Sequence, residues 1–519
     1  MSVVSLPDPA RRALLGALLG LFAAAPLAWY LRGFTVDDAL IPARYAQHLA
    51  RGLGYRFNPH GPSSDGVTPL GFAHLLAPFA AQGVLPAWQA SRWLGRALWL
   101  SAAAALGAAA STPCRPAVVG TPCQQPVAFN DAGQRLGPCV HPPAARPTLC
   151  AAQLSLLLVL CSAPLAAWAS SGLETPWVVA LATAAVLTPP RADRALRGAL
   201  WAGACAWLRP EMLVFALVLA VGRARSARGR ARALGCVALG VAPWLLVAAV
   251  RWITWGRPAP LAVLAKPSDL AHGLVYVLPA LLFTGAPFAA LAPGSWRALS
   301  PWARSLVIAG FSHLAVVALA GGDWMPLARL VCPVLPAFVL ATAELLADNR
   351  ARRWAMTRLA LACAAELAVL AMRGEAARHV AEDRLALIAS ARPWLRDAAV
   401  VAAVDVGWVG AASDADIVDL AGATDAEIAA LPGGHTSKAV GVAFLTGRHP
   451  DVLIFQLAAP AAQALTSADD HVEAGFAPFA RVVEERLGHD ARILRAYRPA
   501  WKSPPELPIA YVGLRRVLD

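Results

Sequence analysis

Two adjacent carboxylates, Asp37 and Asp38, follow the first apolar run of the chain in "GFTVDDALIPARYAQHLARGLGYRFNPHG". A carboxylate can take the proton of an attacking alcohol, and it does so usefully when a leaving group departs at the same time; a phosphate leaving group needs fixed cations to hold its charge. Arg44, Arg209, Arg251, Arg257, Lys266 and Arg329 supply such cations elsewhere in the chain. Glycosyl transfer from a lipid phosphate would use both parts. The plainer reading is that the pair opens a helix, with Pro42 in its first turn and "RGLG" at its end, where acidic side chains complement the dipole by about 0.3–1 kcal/mol. On that helix Asp37, Arg44 and His48 can approach one face, with Tyr45 beside them. Acidic pairs also hold divalent cations, but no dedicated ligand set accompanies this one, so no metal residue is assigned and a divalent cation stays open.

The elements that would position these groups are set by composition. The chain has 519 residues, 58% hydrophobic and 15% charged, with a mean hydropathy of +0.53. Soluble domains carry roughly 25% charged residues. Apolar runs near the roughly 17–25 residues that cross a bilayer recur through the first 372 positions, so the chain reads as an integral membrane protein. The net charge of +13 lies mostly in short arginine clusters between those runs. That is how helices are oriented by cytoplasmic cations, and without a basic-aromatic motif it excludes nucleic acid as the partner. Cys161, Cys205, Cys236, Cys332 and Cys363 lie in apolar segments as small hydrophobes, whereas Cys114, Cys123, Cys139 and Cys150 fall in a Pro-rich insert without the CxxC spacing of a zinc site.

A topology follows from the apolar runs and the basic clusters. Residues 13–31 form an uncleaved first span with Arg11 and Arg12 inside, and 32–95 form a long external loop in which "PLGFAHLLAPFAAQGVLP" lies at the membrane surface. Spans 96–110, 151–168 and 176–188 follow, with the insert 111–150 in the cytoplasm. The pieces 198–207 and 211–222 are too short to span, and the "LRPE" between them marks a broken hairpin with its apex at Arg209-Pro210-Glu211. Spans 233–250, 272–292, 305–320, 328–346 and 356–372 complete an α-helical polytopic module, 1–372, of about 11 membrane segments. Residues 373–519 read as a small external α/β domain, with strands in "AAVVAAVDVGWVG", "ADIVDL", "PDVLIFQ" and "IAYVGLRRVL". This parity brings the polar stretches around Asp37–Arg56, Ser170–Thr175, Arg209–Glu211, Arg251–Asp269 and Asp323–Arg329 to one side as a shared external cavity.

Across nearly its whole length the chain resembles the GT-C-fold glycosyltransferases that use polyprenyl-phosphate sugars, nearest the terminal arabinofuranosyltransferase-like family. The resemblance is carried by "DDALIPARYAQHLARGLGYRFNP", "DGVTPLGF", "SSGLETP", "RPE", "WGRPAPLAVLAK", "GGDWMPLARLVCPVLP" and "VDLAGATDAEIA". It implies an inverting transferase of the bacterial cytoplasmic membrane, working on the external face. The donor would be a polyprenyl-phosphate sugar, with arabinofuranose the nearest case, and the acceptor a hydroxyl of a cell-envelope glycan or glycoconjugate. It implies that Asp37 or Asp38 is the base toward the acceptor. Arg44, Arg209, Lys266 and Arg329 would then hold the donor phosphate, with Tyr45, Glu174, Glu211, Asp323 and Trp324 as substrate-binding residues. Relatives carry a fuller "EGYTNPLW"-like segment where this chain has "DGVTPLGF", which leaves the sugar open.

Read without the resemblance, Glu174 and Arg209 are helix-end charges that could pair with each other, and Trp324 is an aromatic anchor at the membrane interface. His48, His74 and His313 receive no role. A lipid-linked-sugar transporter or flippase would share the spans and the arginines. It would show paired discontinuous segments in its two halves, and only the hairpin at 209 fits that pattern.

Overall fold

The computed structural model describes residues 8–111, 162–191, 193–266, 268–348, 350–458 and 478–517. The expectations for the insert, its four cysteines, Cys161 and the first part of the 151–168 span lie outside the described residues. Among the described residues, helices Ala10–Tyr30, Arg230–Trp255, Pro301–Leu319 and Arg352–Leu395 are long and apolar enough to cross a membrane. Thr175–Leu187, Leu270–Phe283 and Cys332–Ala347 are shorter apolar helices. Phe22, Ile253, Val275 and Met372 stand exposed on four of these helices, as lipid-facing side chains do. Helices Asp8–Tyr30 and Val84–Ser111 cross closely because glycines line the contact. A Cβ at Gly20 would collide with the Ala103 carbonyl, and one at Gly107 with that of Gly16.

The hairpin expected at "LRPE" is present. Helix Ala195–Leu208 ends at Arg209, whose extended backbone is what a following proline imposes, and a 3₁₀ turn Pro210–Met212 leads into Leu213–Ala224. The expected end of the last span at residue 372 is not a break. Helix Arg352–Leu395, 44 residues long, runs through it, because the stretch after Met372 is rich in Ala, Arg, Glu and Leu, which favour helix outside a membrane as within one.

The tail folds around a five-stranded sheet: β1 (Val400–Ala403), β2 (Asp416–Asp419), β3 (Val452–Gln456), β4 (Tyr497–Lys502) and β5 (Tyr511–Arg516), in the order β2-β1-β3-β5-β4. β1 runs parallel to β2 and β3, and β5 pairs antiparallel with β3 and β4. β4 escapes sequence reading because Pro499 interrupts it; as an edge strand with a register shift beside that proline it loses no ladder partner it needs. Alternating side chains divide between two cores. Val401, Ala403, Ile417, Val452 and Ile454 join the core of the helical module, while Ala402, Val418, Leu453 and Phe455 join a second core on the far face of the sheet.

Candidate functional site

The two aspartates of the opening pair have different fates. Asp37 reaches the start of helix Val406–Ala412 in the tail, where its carboxylate accepts hydrogen bonds from the backbone N–H groups of Gly407 (2.8 Å) and Trp408 (2.9 Å). Seven residues on, Arg44 reaches the other end of the same helix. Its guanidinium donates to the carbonyls of Gly410 (2.6 Å), Ser413 (2.7 Å) and Ala415 (2.6 Å), and to Phe57 in its own loop (2.8 Å). A carboxyl group thus accepts from the N–H end of the helix and a cation donates to its carbonyl end. Gly407 and Gly410, three residues apart on one helical face, permit the approach: a Cβ at either would press into Asp37 or Arg44. Arg44 commits four of its five N–H donors to this contact and is buried, so it stands apart from the cations grouped with it as phosphate ligands.

Asp38, in the same 3₁₀ turn Asp37–Ala39, is exposed, and among the described residues its carboxylate makes no hydrogen bond or ion pair. Protein crowds it nonetheless, which pushes its carboxyl above the usual range; Lys266 and Arg329 act against that push, and Asp323 and Asp405 add to it. Asp38 is thus open to water and within electrostatic range of four other charged groups.

The neighbouring charges form one chain. Glu174, at the head of helix Thr175–Leu187, takes hydrogen bonds on a single carboxylate oxygen from Arg209 (2.6 Å) and Arg329 (2.9 Å). Arg209 also donates to Glu211 (2.7 Å), Arg329 lies 3.7 Å from Asp323, and Lys266 lies 3.5 Å from the other oxygen of Asp323. Burial would raise the Glu174 carboxyl, but Arg329 and Arg209 outweigh it and hold the group below its ordinary value; Lys266, Arg329 and Arg209 do the same for Asp323. Three cations and three anions balance. Lys266, whose side chain is 34% exposed, is the most open of these cations, and the buried Arg329 Nε has no acceptor among the described residues.

Arg329 is aimed by a strained loop. Leu327 and Ala328 both take left-handed backbone angles, φ 56° and 51°, at a cost of order 1–3 kcal/mol each. Three neighbours hold the loop there: Trp168 Nε1 donates to Leu327 O (2.9 Å), His313 Nε2 lies 2.8 Å from Leu330 O, and the Leu330 N–H donates to the Tyr276 hydroxyl (2.9 Å). His313 Nδ1 also faces Glu211 O at 3.2 Å, which ties the "RPE" turn to the "GGDWMPLAR" loop. His313 therefore has a structural task. Trp324 is exposed beside the cluster, stacked on His272 (ring centroids 4.2 Å apart) and near His435 of the tail (5.4 Å).

Tyr45 does not face the cluster. Its hydroxyl bonds Ser64 (2.6 Å) and the Gly66 N–H (3.0 Å), which shapes the "SSDG" loop behind Asp38. Asp65 in that loop pairs with buried Arg251 (2.7 Å), and its carbonyl receives the Leu261 N–H, so the loop also anchors the segment that carries Lys266. On the tail side, buried Asp419 folds the "DLAGATD" loop by accepting from the N–H groups of Ala421, Gly422 and Thr424. That loop packs against Gly66, and Ala429 packs against Leu261 and Ala265. Sequence reading missed Arg384, Asp405, Arg481 and His435, since each acts only after the tail docks. Asp405 pairs with Arg481 (2.6 Å) and bonds Tyr511, and Arg384 lies 4.0 Å from Asp37.

The arrangement offers one unpaired carboxylate and a partly exposed lysine beside buried guanidinium groups, with His435 of the tail near Trp324 at the same cluster. Among the described residues no group of three or more His, Cys, Asp or Glu side chains is placed to hold a metal ion. Residues 374–501, from within the long helix to the edge strand β4, match a family model described as a domain of unknown function (DUF8728). No curated protein and no solved structure matches the chain.

Proposed function

We propose that the protein is a membrane glycosyltransferase of the GT-C type, with about 11 membrane segments, and that Asp38 is its base. It transfers a sugar, with arabinofuranose as the nearest case, from a polyprenyl-phosphate donor to a hydroxyl of a cell-envelope glycan or glycoconjugate, on the external face of a bacterial cytoplasmic membrane. The observation that carries this reading is the division of labour in the acidic pair: Asp37 is consumed by the tail, whereas Asp38 is open and unpaired beside Lys266 and Arg329. In the reaction the acceptor oxygen bonds the anomeric carbon, its proton passes to Asp38, and the bond from that carbon to the phosphate oxygen breaks with inversion. Lys266, with the Arg329 guanidinium charge behind it, receives the charge that develops on the phosphate. Trp324, exposed and stacked, offers a face for a sugar ring.

The test uses purified protein in detergent with a panel of polyprenyl-phosphate sugars and short glycan acceptors. Asp38→Asn is expected to lower kcat about 10²- to 10⁴-fold, the usual range for a lost general base, with little change in thermal stability. Release of polyprenyl phosphate at the wild-type rate by that variant refutes the assignment.

A further inference from the structure

A second site lies at the far end of helix Val406–Ala412 from Asp38. A cleft of about 470 Å³, within the roughly 300–1,000 Å³ of small-molecule sites, opens between the start of helix Val84–Ser111, the end of the long helix and residues 410–414. Three arginines line it, Arg51, Arg392 and Arg396, against one acid, Asp414. Arg51 meets Asp414 at 3.1 Å in a solvent-exposed pair, the kind of ion pair that is easily exchanged for another partner. Gln47 also lines the cleft. Only 6% of its surface is exposed, yet its amide makes no hydrogen bond among the described residues, and its Nε2 lies beside Gly83 at the rim. The amide is the part of Gln47 left open, so it can meet a partner that arrives from the cleft.

We propose that this cleft binds a small hydroxyl-rich oxyanion, a sugar or polyol bearing a carboxylate or a phosphate. The arginines and the first N–H groups of the 28-residue helix Val84–Ser111 take the charge, and the Gln47 amide reads a hydroxyl. A soluble molecule and a lipid headgroup share this chemistry, and the soluble molecules are the ones titrated below.

Isothermal titration of the full-length protein in detergent with glucuronate, glycerol 3-phosphate and glucose tests this. Saturable binding of glucuronate or glycerol 3-phosphate at least tenfold tighter than glucose is expected. Arg396→Glu, an exposed side chain with no hydrogen bond among the described residues, is expected to weaken it at least tenfold, and Gln47→Leu several-fold. Asp38→Asn is expected to bind as wild type, so this result stands or falls apart from the transferase reading. No saturable heat, equal affinity for glucose, or unchanged affinity in Arg396→Glu overturns the proposal.

Discussion

Glu174→Gln is the sharpest probe of the ionic chain behind Asp38. Glutamine keeps the shape of the side chain and one acceptor oxygen, but it removes the negative charge that sits 2.6 Å from Arg209 and 2.9 Å from Arg329. The Glu174 side chain is 2% exposed, so water cannot replace the lost charge, and the balanced set of six groups is left with a net +1. Removing one partner of a buried pair costs about 3–5 kcal/mol; the hydrogen bond that the amide oxygen still accepts returns about 1 of these, leaving a loss of about 3 kcal/mol. The assay is thermal unfolding in detergent as a function of pH. Because Glu174 is held below its ordinary value, its contribution is complete above about pH 4.3 and fades as pH falls through the depressed folded-state value. Wild type and variant should therefore differ by several degrees in apparent Tm at pH 7, and the gap should close in strong acid. An equal Tm at pH 7, or a gap that persists in acid, would refute the reasoning.

Three further outcomes follow from the docking of the tail. Arg44→Met removes four hydrogen bonds from a charged donor, each worth about 1.5–3 kcal/mol, and strands the carbonyls of Gly410, Ser413 and Ala415; faster limited proteolysis after residue 395 is expected, and resistance equal to wild type would count against the clamp. Gly410→Ala places a methyl against the Arg44 side chain, so it should loosen the tail as Arg44→Met does, whereas Gly441→Ala, where a Cβ meets open space, should not. Asp37 is pushed up to about 7, chiefly by burial and then by Asp405, with Arg384 opposing. A raised folded-state value gives stability that is complete below the ordinary carboxylate pKa and lost as pH rises through about 7, so wild-type Tm should fall between pH 5.5 and 8.5 while Asp37→Asn stays flatter.

Much of the framework is legible in the residues. Apolar runs and arginine clusters locate the helices, Arg209-Pro210 marks the broken hairpin, and alternating hydrophobes mark four of the five strands. The charged groups named from motifs do meet, since Lys266, Asp323, Arg329, Glu174, Arg209 and Glu211 form one chain. What was hidden depends on contacts between distant parts. Asp37 and Asp38 are chemically identical, and only Gly407 separates them by receiving one carboxylate. Arg44 resembles any basic residue on a helix until the carbonyl end of Val406–Ala412 is placed against it. The pair of glycines in "DVGWVG" was the available signal, because two missing side chains on one face of a short helix announce a close neighbour.

The grip of Asp37 on Gly407 spans 370 positions of sequence. A ribosome that has finished the loop after the first helix has most of the polypeptide still to make before the receiving helix exists. Until then Asp37, next to Asp38, lacks the two backbone N–H groups that hold its carboxyl. A chain stopped before Val406 would thus carry every residue of the ionic cluster and still lack the contact that seats Asp37 beside it.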